Sequence, residues 1–240
     1  MRKFLLAAVA TAAIASPAAA RDGSGYVGVE AGAMLAEDTK LDFDDGVTRI
    51  NNALSVDYDT GFDVGLIAGY DTGLVRPEGE LSYKRASVNE IVFGDVGVLV
   101  CDDPTDCIVD ADGKGSVLSV MGNLLLDFGD DDGVNGYLGA GAGMARVKIS
   151  ADFADTFDED FDGDLGASDS DSALAWQLIA GIRFPVSQNI DAGLKYRYFN
   201  TPKLEFSDSG DDDRLTGHWR SHSLLASLIY NFGAPVVAPP

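Results

Sequence analysis

Residues 221–232 read SHSLLASLIYNF, and the two alternating sets of side chains in this stretch decide the fold. Successive side chains of an extended strand leave on opposite faces. One face carries His222, Leu224, Ala226, Leu228, Tyr230 and Phe232; the other carries Ser221, Ser223, Leu225, Ser227, Ile229 and Asn231. An apolar face closed by aromatic rings suits a strand that lies against hydrocarbon, with its rings at the membrane surface.

The same period of two recurs upstream. It predicts eight strands over 26–35, 61–71, 75–88, 116–128, 136–150, 172–184, 190–200 and 218–232. Their connections alternate in length. Residues 36–60, 89–115, 151–171 and 201–217 are long and polar, whereas 72–74, 129–135 and 185–189 are brief and hold the Gly, Pro, Asp or Asn that tight turns use. Outer-membrane barrels show this asymmetry, with short periplasmic turns and long external loops. The expected fold is all-β: an eight-stranded antiparallel up-and-down transmembrane barrel with long acidic extracellular loops.

One register puts apolar groups on the same side of every strand. Val27, Val29, Phe62, Leu66, Leu124, Leu178, Leu194 and Leu228 belong to that side, and Glu30, Asp63, Arg76, Glu78, Glu80, Lys84, Asn123, Gln177, Arg183, Asp191, Lys195 and Arg197 to the other. Arg146 and Lys148 fall on the charged side in the same reading. An eight-stranded barrel has room inside for side chains or one small ligand. Charges out and apolar groups in would make a soluble lipocalin-like carrier; charges in and apolar groups out make a membrane barrel. The aromatic residues at both strand ends suit interfacial girdles better than a ligand cavity. The acids Glu30, Glu78 and Glu80 must then meet Lys84, Arg146, Lys195 and Arg197 within the lumen, because an unpartnered buried charge is very costly. A plugged interior follows, and a low-conductance path through shifting ion pairs is the alternative porin-like reading.

Residues 1–20 join a basic start at Arg2 and Lys3 to an apolar stretch and a small-residue end at Ala18, Ala19 and Ala20, the pattern of a cleaved secretory signal. Downstream there is no apolar run near the roughly 20 residues of a membrane-spanning helix. Loss of Arg2 and Lys3 leaves 15 bases against 39 acids and moves the net charge from −22 to −24. Such an excess opposes a general affinity for nucleic acid.

The segments YVGVEAG at 26–32, LKYRYFN at 194–200 and RSHSLLASLIYNF at 220–232, together with the signal peptide, make the chain resemble the membrane domain of OmpA-type and opacity-like small outer-membrane barrels over 21–232. The resemblance implies a Gram-negative-type outer membrane and a role in envelope integrity and surface display without catalysis. It also implies insertion by the barrel-assembly machinery through the aromatic end of the last strand, here Tyr230 and Phe232. Lipid, lipopolysaccharide and surface ligands of the loops are the implied partners. Residues 233–240, GAPVVAPP, read as the start of a Pro-rich linker.

Local motifs add further expectations. Asp158, Asp160, Asp162 and Asp169 have the spacing of a calcium loop in DEDFDGDLGASD, although Asp169 replaces the usual Glu and no flanking helices are visible. A solvated acidic loop is the plainer reading, and divalent cations shared with lipopolysaccharide phosphates need no defined site there. No other cofactor is expected. Cys101 and Cys107 are the only cysteines, and in an exported chain their pairing as a local disulfide is expected. Ser221 and Ser223 each adjoin His222 and so face away from it, which argues against a hydrolase pair. Trp176, Trp219, Tyr70, Tyr137, Tyr196, Tyr198 and Tyr230 read as belt anchors.

Overall fold

The computed structural model describes residues 23–44, 49–93, 108–129, 133–152, 166–207 and 214–232. Their regular elements are ten strands: β1 (Ser24–Ala36), β2 (Thr39–Asp44), β3 (Arg49–Tyr58), β4 (Gly61–Asp71), β5 (Val75–Phe93), β6 (Ile108–Phe128), β7 (Asn135–Asp152), β8 (Gly166–Pro185), β9 (Ile190–Ser207) and β10 (Arg214–Asn231). Neighbours are antiparallel, and β1 pairs with both β4 and β10, so the sheet closes on itself.

Ten strands nevertheless build only eight walls. β1 rises to Ala36, Glu37 and Asp38 interrupt the ladder, and β2 continues upward beside β10; β3 descends beside β5, breaks at Asp59 and Thr60, and continues as β4. The breaks stay stitched, since the Glu37 amide donates to the Arg220 carbonyl at 3.0 Å and the Asp59 amide to the Ser87 carbonyl at 3.0 Å. The β2–β3 hairpin occupies residues expected to be loop. β5, β6, β8 and β9 likewise run past their expected ends, to Phe93, from Ile108, from Gly166 and to Ser207. Cross-strand pairing satisfies the backbone of these polar segments, which lie above the apolar band. At the opposite end Gly73 sits at φ 95° in the β4–β5 turn, a conformation that favours glycine.

The alternation of burial settles which side faces outward. Leu178, Leu194 and Leu228 are 50%, 44% and 52% exposed, while Glu80 and Arg197 are 3% and 0% exposed. Apolar groups therefore cover the outside and charges fill the inside, the inverse of a soluble carrier. On β6 the outward set runs from Leu118 through Val120 and Leu124 to Phe128. Ten residue steps of about 3.4 Å, tilted by roughly 40°, give a band about 26 Å tall, the thickness a bilayer requires.

Candidate functional site: the packed lumen

Three layers of side chains fill the barrel. At the periplasmic end Arg183 meets Asp71 at 2.7 Å and Asp191 at 3.8 Å, and Arg76 meets Asp127 at 3.2 Å. Arg76 also lies against the rings of Tyr26 and Tyr137, 5.6 and 4.8 Å from their centroids. A guanidinium above an aromatic face gains from the ring quadrupole without needing water.

The central layer joins opposite walls. Arg197 on β9 reaches Glu30 on β1 at 2.7 Å, Asp63 on β4 at 2.9 Å and Glu80 on β5 at 3.2 Å. Lys195, two residues earlier on the same face, pairs with Glu30 and lies 3.4 Å from Glu78, which also accepts the Tyr26 hydroxyl at 2.8 Å. Lys84 donates to Ser82 at 2.7 Å, lies 3.9 Å from Asp63, and stands 4.3 Å from the Phe199 centroid. Four carboxylates thus share three cations. Amide donors supply the remaining polarity: Asn123 and Gln177 each donate to Glu80 at 3.1 Å, and Gln177 donates to the Asn123 carbonyl at 2.7 Å. Residues as far apart as Glu30 and Arg197 meet because each occupies the inward parity of its own strand.

The extracellular third is apolar. Trp219, Phe199, Met34, Val117, Val147 and Leu204 are buried together inside the walls. Trp219 lies edge-on to Tyr58, with centroids 5.0 Å apart, above Gly115, where a Cβ would stand 2.8 Å from the indole. Glycine makes room here for the largest side chain of the cap. Its indole enters the lumen next to an irregularity in the β9–β10 register between Gly217 and Trp219.

The site residues expected from sequence fall in different places. Glu30, Glu78, Glu80, Lys84, Lys195 and Arg197 meet in the central layer, joined by Asp63, Asn123 and Gln177. Arg146 does not: it is exposed and donates to Ser170 at 3.0 Å. Ala145 and Val147 take the inward positions on either side of it, so Arg146 and Lys148 belong to the outer face. Near the top of β7 the apolar side of the strand is the inside, contrary to the lumen placement expected from sequence. Trp219 and Tyr137 also lie inside rather than in the aromatic belt, at 1% and 4% exposure, Trp219 in the extracellular cap and Tyr137 at the periplasmic end against Arg76. Tyr230 and Phe232 are exposed outside with centroids 5.4 Å apart. Asp169 lies in β8 opposite Ile149. Asp158, Asp160, Asp162, Cys101, Cys107, the segment 1–20 and the tail 233–240 lie outside the described residues.

His222 is on the outer surface, while Ser221 and Ser223 are buried in the lumen wall. Its Nε2 donates to Glu37 at 2.9 Å and its Nδ1 meets the Tyr196 hydroxyl at 2.7 Å. The hydrogen bond from His222 holds the Glu37 carboxyl below its usual range. The histidine thus fastens the break between β1 and β2 to β10.

Comparison with known proteins places this architecture. A family model described as "Outer membrane protein beta-barrel domain" matches residues 4–232. A Rickettsia conorii protein named "Putative adhesin RC1281" is 30% identical over 129 residues, which are 49% of this chain and 49% of that protein. The chain thus spans about half the length of the curated relative it matches. Among solved structures, the outer membrane protein OprG from Pseudomonas aeruginosa aligns over 89% of this chain and 98% of its own, with 14% identity and a TM-score of 0.51. The outer membrane protease OmpT from Escherichia coli aligns over 87% and 97%, with 9% identity and a TM-score of 0.54. At such identities these two structures testify to the fold alone.

Proposed function

The chain belongs to the outer-membrane β-barrel domain family, and from that membership we propose that it is a structural and surface-display barrel of the envelope, without catalysis. Its place is the outer membrane, with the long connections on the outside. The packed lumen carries the reading: a charged layer tied across four walls lies beneath an apolar cap centred on Trp219. Side chains that fill an eight-stranded barrel leave it rigid rather than conducting. What remains for interaction is the outer rim and the loops. The adhesin name of the Rickettsia conorii relative supports a contact role for that surface. The serine–histidine pairing weighed from sequence does not form, since Ser221 and Ser223 point inward and His222 outward. Assembly through Tyr230 and Phe232 belongs to the same proposal.

The test is reconstitution of the refolded protein. A folded barrel migrates faster unheated than boiled on a detergent gel and produces no sustained steps in a planar bilayer. Steady conductance from the parent protein would replace this reading with that of a narrow channel.

A further inference from the structure

We propose that the outer face of β5 to β8, just above the apolar band, docks the phosphate groups of an outer-leaflet lipid headgroup. This rests on the outer-membrane assignment and adds to it a defined site. The register lays Arg85, Ser116, Lys148 and Ser170 side by side across the four strands. One step higher of the same parity stands Lys114, and one step lower on β7 stands Arg146. Lys114, Arg146 and Lys148 are exposed and Arg85 half-buried. Diagonal neighbours on a sheet face lie about 7–8 Å apart, so four cations share a patch little wider than a phosphorylated sugar headgroup.

Three observations make the patch more than scattered surface charge. Acids outnumber bases 39 to 17 in the chain, yet none of the same-parity positions among 83–87, 114–118, 146–150 and 170–174 is acidic. Among the described residues no ion pair engages Arg85, Lys114, Arg146 or Lys148, whereas the lumen cations each have one. The patch is also at the right depth. Tyr83, Leu118, Met144 and Leu174 end the apolar band directly beneath it, at the level where headgroup phosphates begin. Serine hydroxyls at 116 and 172 add donors between the cations. Arginine and lysine beside hydroxyls form the donor set that binds phosphate oxygens, and the interface, drier than bulk water, strengthens each contact. On the far side of the rim Glu37 sits among Arg220 and His222, so that side lacks the same unopposed charge.

The refolded barrel in detergent is assayed by native mass spectrometry with lipid A carrying two, one or no phosphates, in EDTA. A one-to-one adduct should weaken stepwise as phosphates are removed. Joint replacement Arg85→Gln, Lys114→Gln, Arg146→Gln and Lys148→Gln should weaken the diphosphoryl adduct at least tenfold, and the pair Lys114→Gln and Lys148→Gln severalfold. Substitution Arg220→Gln across the rim should change nothing. Binding indifferent to phosphate, equal in parent and fourfold variant, or abolished by EDTA would overturn the site, the last by assigning binding to cations held in the acidic loops. Heat-modifiable migration of every sample keeps this outcome separate from failure of the barrel assignment itself.

Discussion

The guanidinium of Arg197 and the carboxylate of Glu30 meet 2.7 Å apart across the lumen although 167 positions separate them in the chain. Their contact ties β9 to β1, and two further bonds from Arg197 to Asp63 tie in β4. Removing the cation leaves only Lys84 and Lys195 to balance Glu30, Asp63, Glu78 and Glu80, so Arg197→Met should cost about 3–5 kcal/mol. Urea unfolding of the reconstituted protein measures this, and adding Glu30→Gln should restore part of the loss. An unchanged midpoint in Arg197→Met would remove the network from the account of stability.

The cap contributes through packing instead. Trp219 is 1% exposed among apolar neighbours, so Trp219→Ala leaves a cavity and should cost about 3–5 kcal/mol in the same unfolding experiment. Trp219→Phe should cost less. If the indole were merely an interfacial anchor, both changes would stay below about 1 kcal/mol.

Tyr26 packs on the backbone of Gly69, where a Cβ would come within 2.4 Å of the tyrosine hydroxyl. Gly69→Val should therefore push Tyr26 off the Glu78 carboxylate and destabilise the barrel by about 1–3 kcal/mol. Gly79, whose Cβ would meet nothing nearer than 3.8 Å, serves as the control: Gly79→Val should be tolerated. Equal effects at the two glycines would contradict the packing described.

The Glu37 contact with His222 has a direction in pH. Because the carboxyl titrates lower in the folded protein than its ordinary value of 4.5, the folded state binds fewer protons just below that value. Stability from Glu37 is present above about pH 4.5 and is lost as the pH falls further. The difference between the parent and Glu37→Gln in thermal unfolding should shrink between pH 6 and pH 3. For so exposed a pair it should not exceed about 1 kcal/mol.

Tyr230 and Phe232 are exposed on the outer face and take no part in lumen packing. Phe232→Ala should then lower the amount of barrel in the outer-membrane fraction of cells without altering the unfolding midpoint of protein refolded in detergent. A matching fall in both measurements would assign the ring to stability instead of assembly.

The alternation of side chains was enough to give the eight walls, the closed barrel and the face turned to lipid. A strand has only two sides, and a register error of one residue would turn Leu178 or Glu80 the wrong way. The inward parity also exposed Glu30, Glu78, Glu80, Lys84, Lys195 and Arg197 as lumen residues. The same rule failed for Arg146, Lys148 and Trp219. It takes apolar to mean outside, which holds only while the outer surface meets hydrocarbon. Above the band the outer surface meets headgroups and water, so Val147 and Trp219 turn inward and Arg146 turns out. Which cation meets which carboxylate, and the continuation of two walls through β2 and β3, also required the closed sheet, because strand stagger and tilt determine those neighbours and neither is written in the local pattern.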